Sequence, residues 1–315
     1  MMRYICRLLA LLVILILLPP AGTQAQATQE APCRDIVLII DRSGSMRDND
    51  PSSLSIAAVK LFVDLLDVCD RVGFVVMSDA AHTRPWNPRM TRIKEKNDIL
   101  NLKKEIQKLA SEPLGEETHM GTALEYAYTL LETTVADARG PNQEQFVLLL
   151  TDGLPTGDKQ RERIHDVIAR FQERGYRKIF AVALGAGADV SYLQQAITQP
   201  TDGKTFTATP EELINRYLDI YTLLGDDRFV DRIVIPSNTL TPLATVHPDQ
   251  LLSQISVVVP GVERLPDKTE VNIRIRQLYA PEGHNIAEPE YERTVHRGAE
   301  EEYTLYIVPK EAQVG

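Results

Sequence analysis

The chain of 315 residues has none of the short motifs that mark the common enzyme classes. Its six histidines are scattered, with no H-x-x-x-H pair and no cysteine–histidine spacing typical of a zinc site. The nucleophile elbow G-x-S-x-G, the phosphate-binding loop and the dinucleotide-binding glycine fingerprint are missing too. These absences argue against a zinc enzyme, a hydrolase of the nucleophile-elbow type and a nucleotide-dependent enzyme.

Positive charge is in short supply. Lysine and arginine total 34 against 44 aspartates and glutamates, which gives a formal net charge of −10. Nucleic acids and anionic membranes attract basic surfaces, so a chain this acidic is a poor candidate for either partner. We therefore expect no nucleic-acid partner, and contact with a membrane only through an anchoring segment.

Long apolar runs are absent as well. A membrane-spanning helix needs about 20 apolar residues, and the longest run, Leu8–Leu18, has eleven. It follows two arginines and precedes small residues that end in Ala25-Gln26-Ala27, the pattern of a secretory signal. We expect residues 1–27 to be a signal peptide cut after Ala25 or Ala27, with an uncleaved anchor as the alternative. In both cases the rest of the chain is expected to be secreted or extracytoplasmic, at the cell surface or in a periplasm.

Cysteine is scarce, with three in the whole chain. Cys6 lies in the expected signal peptide, which leaves Cys33 and Cys69 in a compartment that favours disulfides. Cys33 precedes the first predicted strand, and Cys69 lies between the first predicted helix and the second strand. Both belong at the amino-end face of the predicted sheet, so we predict that they form a disulfide.

What the chain does contain is a regular alternation of strand and helix patterns. Aliphatic runs typical of strands buried on both faces lie at residues 36–40, 71–78, 145–151 and 178–184. Segments with a helical spacing of apolar residues lie between them. This order predicts an α/β domain with a doubly wound, mostly parallel sheet over residues 34–225.

Local signals predict where two of the helices begin. Asp50 followed by Pro51 predicts an N-cap and a proline at the first helical position. Thr209-Pro210-Glu211-Glu212 predicts a capping box that opens the last helix of the domain.

From Phe229 onward the pattern changes to short strand-like segments separated by turns. Val271, Ile273 and Ile275 alternate with polar residues, which is typical of a half-buried strand. Similar segments lie near 229–235, 252–259, 290–296 and 302–308. We expect residues 229–315 to form a smaller, sandwich-like all-β domain.

Oxygen-bearing side chains follow the first predicted strand directly. Asp41, Ser43 and Ser45 alternate along the chain, so their side chains can point the same way. They lie at the carboxyl end of a core strand, where open α/β sheets bind ligands. One carboxylate and two hydroxyls suit Mg²⁺, Mn²⁺ or Ca²⁺ better than zinc. The alternative interpretation is a polar turn that caps the next helix.

Two later motifs complete the pattern: Thr118 in the segment 115–121 before a predicted helix, and Asp152 in Thr151-Asp152-Gly153 at a strand end. Together with D-R-S-G-S they resemble the von Willebrand factor type A (vWA) domain and its metal-ion-dependent adhesion site. The resemblance implies a doubly wound fold over about residues 34–225. It nominates as metal ligands Asp41, Ser43, Ser45, Thr118 and Asp152.

The second motif departs from the pattern of many bacterial members. A glycine pair precedes the threonine there, whereas this chain has Glu116-Glu117. Thr122 is therefore a rival to Thr118, which we prefer because Gly121 then falls where the helix pattern expects it. His119 is a candidate for the rim of the site.

The resemblance implies binding rather than turnover. Mg²⁺ (or Mn²⁺ or Ca²⁺) is expected to take hydroxyl ligands directly and the aspartates through water, leaving a position for an Asp or Glu carboxylate of a protein partner. Ser43 and Asp152 are expected on solvent-facing loops. Two alternatives remain at this point. One is a ligand-binding or regulatory ectodomain of a larger membrane assembly, and the other is a metal-dependent hydrolase, for which the chain offers no evident general base.

Overall fold

The computed structural model describes residues 33–66, 68–133, 144–175 and 177–224, together with four strands between residues 255 and 307. The described strands are β1 Asp35–Asp41, β2 Arg71–Met77, β3 Arg84–Pro85, β4 Thr91–Arg92, β5 Gln145–Thr151, β6 Arg177–Leu184, β7 Thr205–Ala208, β8 Ile255–Val258, β9 Glu270–Arg274, β10 Glu292–His296 and β11 Thr304–Ile307. The α-helices are α1 Met46–Asn49, α2 Leu54–Asp64, α3 Lys96–Leu109, α4 Met120–Thr133, α5 Gln160–Arg174, α6 Val190–Leu193 and α7 Leu213–Leu223.

The first seven strands form one mostly parallel sheet with β1 near its centre. The strand order is β3-β2-β1-β5-β6-β7, and β4 also pairs with β2. Residues Asp35–Asp41 of β1 pair in parallel with Arg71–Met77, and Asp35–Ile40 pair in parallel with Gln145–Leu150. The carboxyl ends of β2, β1 and β5 therefore meet at one edge, and the predicted α/β fold class is confirmed.

Alternate side chains of β1 enter two separate cores. Ile36, Leu38 and Ile40 pack with α2, α3 and α7, whereas Val37 and Ile39 pack with α4 and α5 on the other face. All seven residues of β1 are buried. Because both faces are covered by helices, the strand reads as an unbroken aliphatic run rather than as an alternating one.

The start of α2 differs from the prediction at Asp50-Pro51. The helix begins at Leu54, after Ser53 adopts a left-handed φ of 52°. Asp50 still caps it, because its carboxylate accepts the backbone N–H groups of Leu54 at 2.7 Å and Ser55 at 3.0 Å. The capping residue was thus identified, but an extra turn separates it from the helix.

The predicted capping box before the last helix is confirmed. The Thr209 side chain accepts from the backbone of Glu212, and the Glu212 carboxylate accepts the Thr209 N–H at 3.0 Å. The box opens a 3₁₀ turn, Pro210–Glu212, which continues directly into α7.

The amino ends of β1 and β2 are joined covalently and by ion pairs. Cys33 and Cys69 form a disulfide with a Cα–Cα distance of 5.4 Å, as predicted. Beside it the buried Arg34 backbone N–H donates to Asp70 at 2.9 Å, and Arg71 pairs with Asp35 at 2.7 Å. The edge opposite the predicted metal site is therefore tightly cross-linked.

Beyond α7 the described residues are strands in two antiparallel ladders, β9 with β10 and β8 with β11. They match four of the predicted β segments, while the segment near 229–235 lies outside the described residues. The sandwich over 229–315 stays a prediction. The expected signal peptide, 1–27, also lies outside the described residues. Among the helices that are described, none is long and apolar enough to cross a membrane.

Candidate metal centre

Three loops meet at the carboxyl edge of the sheet, above β1 and its neighbours. The loop after β1 pairs with the loop before α4, through a parallel bridge between Ser43 and Gly115. Gly115 donates its N–H to the Arg42 carbonyl at 3.0 Å and to Ser78 Oγ at 3.0 Å. Gly115 is required here, because a Cβ would lie 2.3 Å from Ser78 Oγ. The first and second motifs are therefore held side by side.

A chain of hydrogen bonds joins the first motif to the third. Ser43 Oγ lies 3.2 Å from Ser45 Oγ, and Ser45 Oγ donates to Asp152 Oδ1 at 2.7 Å. Ser45 and Asp152 are 107 positions apart in sequence. The sheet register brings them together, because β1 and β5 are adjacent and end at the same edge.

Asp41 lies beneath this series of hydrogen bonds and is fully buried. Its Oδ1 accepts the Ser43 N–H at 2.8 Å, and its Oδ2 accepts the Thr151 hydroxyl at 2.8 Å. Burial, followed by repulsion from the Asp152 carboxylate, raises the pKa of Asp41 to about 6. Both oxygens are thus held by donors from the first and third motifs, and the ionised form is destabilised.

Thr118 is buried and tied to the loop that follows β5. Its N–H donates to Thr156 Oγ1 at 2.7 Å, and its carbonyl accepts the Thr156 N–H at 3.1 Å. Thr122, the rival, lies inside α4, and its hydroxyl accepts from Gln160 Nε2 at 3.2 Å. The second motif is therefore bonded through Thr118 to the loop after β5, while Thr122 is engaged with α5.

His119, the candidate rim residue, is only 9% exposed. Its Nε2 lies 2.8 Å from Glu117 Oε2, and a Cβ at Gly157 would come within 2.5 Å of that nitrogen. Glu117, one of the two glutamates in place of the glycine pair, is thus paired with His119, which follows Thr118.

Asn49 and Arg42 also shape the site, and sequence reasoning missed both. Asn49 Nδ2 donates to Asp152 Oδ2 at 3.0 Å. The Arg42 guanidinium donates to the carbonyls of Ala110 at 3.1 Å and Glu112 at 2.6 Å, which orders the chain leading to the second motif. Asn49 lies one helical turn after Ser45, a spacing that indicates a shared face only once α1 is known to be a helix.

The expectation that Ser43 and Asp152 lie on solvent-facing loops is wrong. Ser43 and Asp152 are each 2% exposed, Asp41 is 0% exposed and Thr118 is 5% exposed, whereas Ser45 is exposed. The reason is that loops from adjacent strands cover one another at the sheet edge. A loop on its own would be solvated, but three converging loops are not.

The donor set fits a hard divalent cation. Oxygens at adjacent corners of a magnesium octahedron lie about 3 Å apart, given metal–oxygen distances of about 2.1 Å. The Ser43–Ser45 and Ser45–Asp152 separations of 3.2 and 2.7 Å bracket that value. Within the described part of the chain, no three His, Cys, Asp or Glu side chains cluster in a way that could hold a metal. Most of the side-chain groups that could hold an ion here are hydroxyls.

The fold and this oxygen-lined edge define a doubly wound α/β module whose polar loops cluster above its central strands. A family model, "von Willebrand factor type A domain", matches residues 35–219. The chain belongs to the vWA family.

Individual relatives are distant. Matrilin-1 of Gallus gallus is 26% identical over 201 residues, which are 61% of this chain and 38% of that protein. Proximal thread matrix protein 1 from the mussel byssus (crystal form 2) has a TM-score of 0.50 at 22% identity, covering 62% of this chain and 48% of that one. The same mussel protein with a zinc-occupied MIDAS motif also has a TM-score of 0.50, at 21% identity and with the same coverage. At this identity the solved structures show the fold alone, and the chain spans under half the length of each relative.

Proposed function

We propose that this chain is an exported vWA protein that binds a protein partner through a divalent cation. The ligands would be Asp41, Ser43, Ser45, Thr118 and Asp152, and the partner would supply an Asp or Glu carboxylate. The hydrogen-bonded chain from Ser43 through Ser45 to Asp152 carries the proposal, because it draws two distant motifs onto one point. Membership of the vWA family supports it.

The proposed ligands differ in charge, and each kind would contribute differently to the site. Ser43, Ser45 and Thr118 offer neutral oxygens, so they add no negative charge around the ion. Asp41 keeps both oxygens on protein donors, and it acts on the site mainly through its charge. The cation, when bound, supplies positive charge that a partner's carboxylate can meet. In the mussel protein the motif holds zinc, so Mg²⁺, Mn²⁺, Ca²⁺ and Zn²⁺ all belong in the first titrations.

The proposal covers the domain layout and the chemistry. Residues 1–27 would be the signal peptide, 34–225 the vWA domain and 229–315 a β-rich domain. The activity would be binding without turnover. A signal segment found still attached to mature protein would favour the membrane-assembly alternative, and hydrolysis of phosphoesters or peptides would favour the hydrolase.

The test combines direct metal titration with partner capture. Partners are collected from the native extracellular fraction with and without EDTA, and each is then titrated with wild type, Ser43→Ala and Asp152→Ala. Loss of one charge-assisted contact should weaken binding by about tenfold or more. The exposed Ser52→Ala is the matched control. Because Ser43 and Asp152 are buried, circular dichroism must first show that each variant is folded. Equal affinity for wild type, both variants and wild type in EDTA would remove the metal from the contact.

A further inference from the structure

The two carboxylate oxygens of Asp152 have different partners. Oδ1 accepts from Ser45 Oγ at 2.7 Å, on the side of the proposed ion. Oδ2 accepts from Asn49 Nδ2 at 3.0 Å, on the side of α1. Asn49 ends α1, and its backbone N–H donates to the Ser45 carbonyl at 3.1 Å. The N-cap residue of α1 and its last residue thus donate to the two oxygens of the same carboxylate.

The other end of the Asn49 side chain lies near Gly185. Gly185, after β6, has a left-handed φ of 72°, and a Cβ there would lie 3.2 Å from Asn49 Oδ1. An ionised carboxylate only accepts hydrogen bonds, so the amide must turn its NH₂ group toward Asp152. Asn49 therefore lies between Asp152 and the loop after β6, with its NH₂ group toward Asp152.

These hydrogen bonds limit how the carboxylates of Asp41 and Asp152 can coordinate an ion. Asp41 has one oxygen on the Ser43 N–H and the other on the Thr151 hydroxyl. Asp152 has one oxygen on Asn49, which leaves only Oδ1 directed at the hydroxyls. Neither carboxylate is set to coordinate with both of its oxygens.

A limit on two-oxygen coordination affects Ca²⁺ and Mg²⁺ differently. Ca²⁺ takes six to eight oxygens and often uses both oxygens of a carboxylate, whereas Mg²⁺ takes six in a near-ideal octahedron and keeps several waters. A site with hydroxyls, one carboxylate oxygen and water positions meets the second set of demands. Resting on the metal-binding function proposed above, we infer that Asn49 is a specificity-determining residue, which favours Mg²⁺ over Ca²⁺ by holding Asp152 to single-oxygen coordination.

The test measures the ratio of two affinities. Mg²⁺ and Ca²⁺, each alone, are titrated calorimetrically into the full exported chain as wild type, Asn49→Ala and Asn49→Leu. The exposed Asn101→Ala on α3 serves as the control. Wild type and control should prefer Mg²⁺, and both Asn49 variants should lose about tenfold of that preference, roughly the weight of one hydrogen bond to a charged group. General damage to the site would weaken both ions together and leave the ratio unchanged.

The outcomes separate this inference from the proposed function. A wild type that binds Mg²⁺ with the same preference as the Asn49 variants overturns the role of Asn49 and leaves the metal site standing. A wild type that binds no divalent ion removes both. A crystal of wild type soaked in Ca²⁺ gives a check that needs no variant. The Asn49–Asp152 hydrogen bond should persist there, and an Asp152 that grips the ion with both oxygens would refute the inference.

Discussion

At the scale of single residues, Asp41 has the most strongly shifted acidity among the proposed ligands. Its ordinary pKa of 3.8 is raised to about 6 in the folded protein, through burial and then through repulsion from Asp152. Between these two values the folded state holds a proton that the unfolded chain has released. Protonation of Asp41 therefore stabilises the fold, and this contribution, about 3 kcal/mol, is lost as pH rises through about 6.

A bound cation should reverse that penalty, since it favours the ionised carboxylate. We predict that the stabilisation by Mg²⁺, measured as the difference in unfolding temperature with Mg²⁺ and with EDTA, is largest near pH 7. It should shrink as pH falls through about 6, because protons then compete with the ion for Asp41. Unfolding scans from pH 5 to pH 8 measure it. A difference that stays constant over this range would contradict the coupling.

The residue patterns of the site could be predicted in part. Alternation along the chain identified Asp41, Ser43 and Ser45 as one oxygen-bearing edge. The burial of Asp41 and Ser43 could not be predicted, because it arises from the loops that follow other strands. The hydrogen bond from Asn49 to Asp152 could not be predicted either, since the two residues are 103 positions apart and no local pattern links them.

At the scale of elements, α2 depends on a cap that lies outside it. Asp50 is 6% exposed and satisfies the N–H groups of Leu54 and Ser55. Asp50→Ala should lower the free energy of unfolding by about 1–2 kcal/mol, as for other capping residues. Urea denaturation measures the change. Asp48→Ala, an exposed acid on α1, is the control and should stay within about 0.5 kcal/mol of wild type. Equal losses in the two variants would show that the cap is not the cause.

The core strands were predicted well, because a strand buried on both faces has a continuous aliphatic sequence. β5 has the bounds expected from its aliphatic run, and β2 and β6 differ from theirs by one residue. The two-residue strand β4 was not predicted, because it exists by pairing with β2 and carries little pattern of its own. α2 begins later than predicted because Ser53 takes a left-handed conformation. A serine in the sequence does not indicate that conformation.

At the scale of the whole molecule, the disulfide closes a loop between residues 36 positions apart. Constraining the unfolded chain in this way should contribute about 3–4 kcal/mol. The double variant Cys33→Ser, Cys69→Ser should therefore unfold at a clearly lower denaturant concentration than wild type. The ion pairs of Arg34 and Arg71 beside it stay available in that variant, so the loss reports the cross-link itself. An unchanged midpoint would contradict the prediction, as would two free thiols in the exported protein.

The predicted β-rich domain can be tested apart from the vWA domain. A fragment of residues 229–315 should give a circular dichroism spectrum of β type. The antiparallel ladders of β9 with β10 and β8 with β11 support this expectation. Helical signal beyond a turn or two in the fragment would contradict it.

The central place of β1 has a mechanical consequence. Its carboxyl end carries Asp41 and the serine loop, while its two edges are bonded to parallel neighbours, β2 and β5. A pull on that loop away from the sheet acts along the strand, so both ladders resist in shear and many hydrogen bonds must break together. The Cys33–Cys69 bridge clamps the far end of β1 to β2. Tension applied at the site is thereby spread through the middle of the sheet instead of peeling strands from its edge.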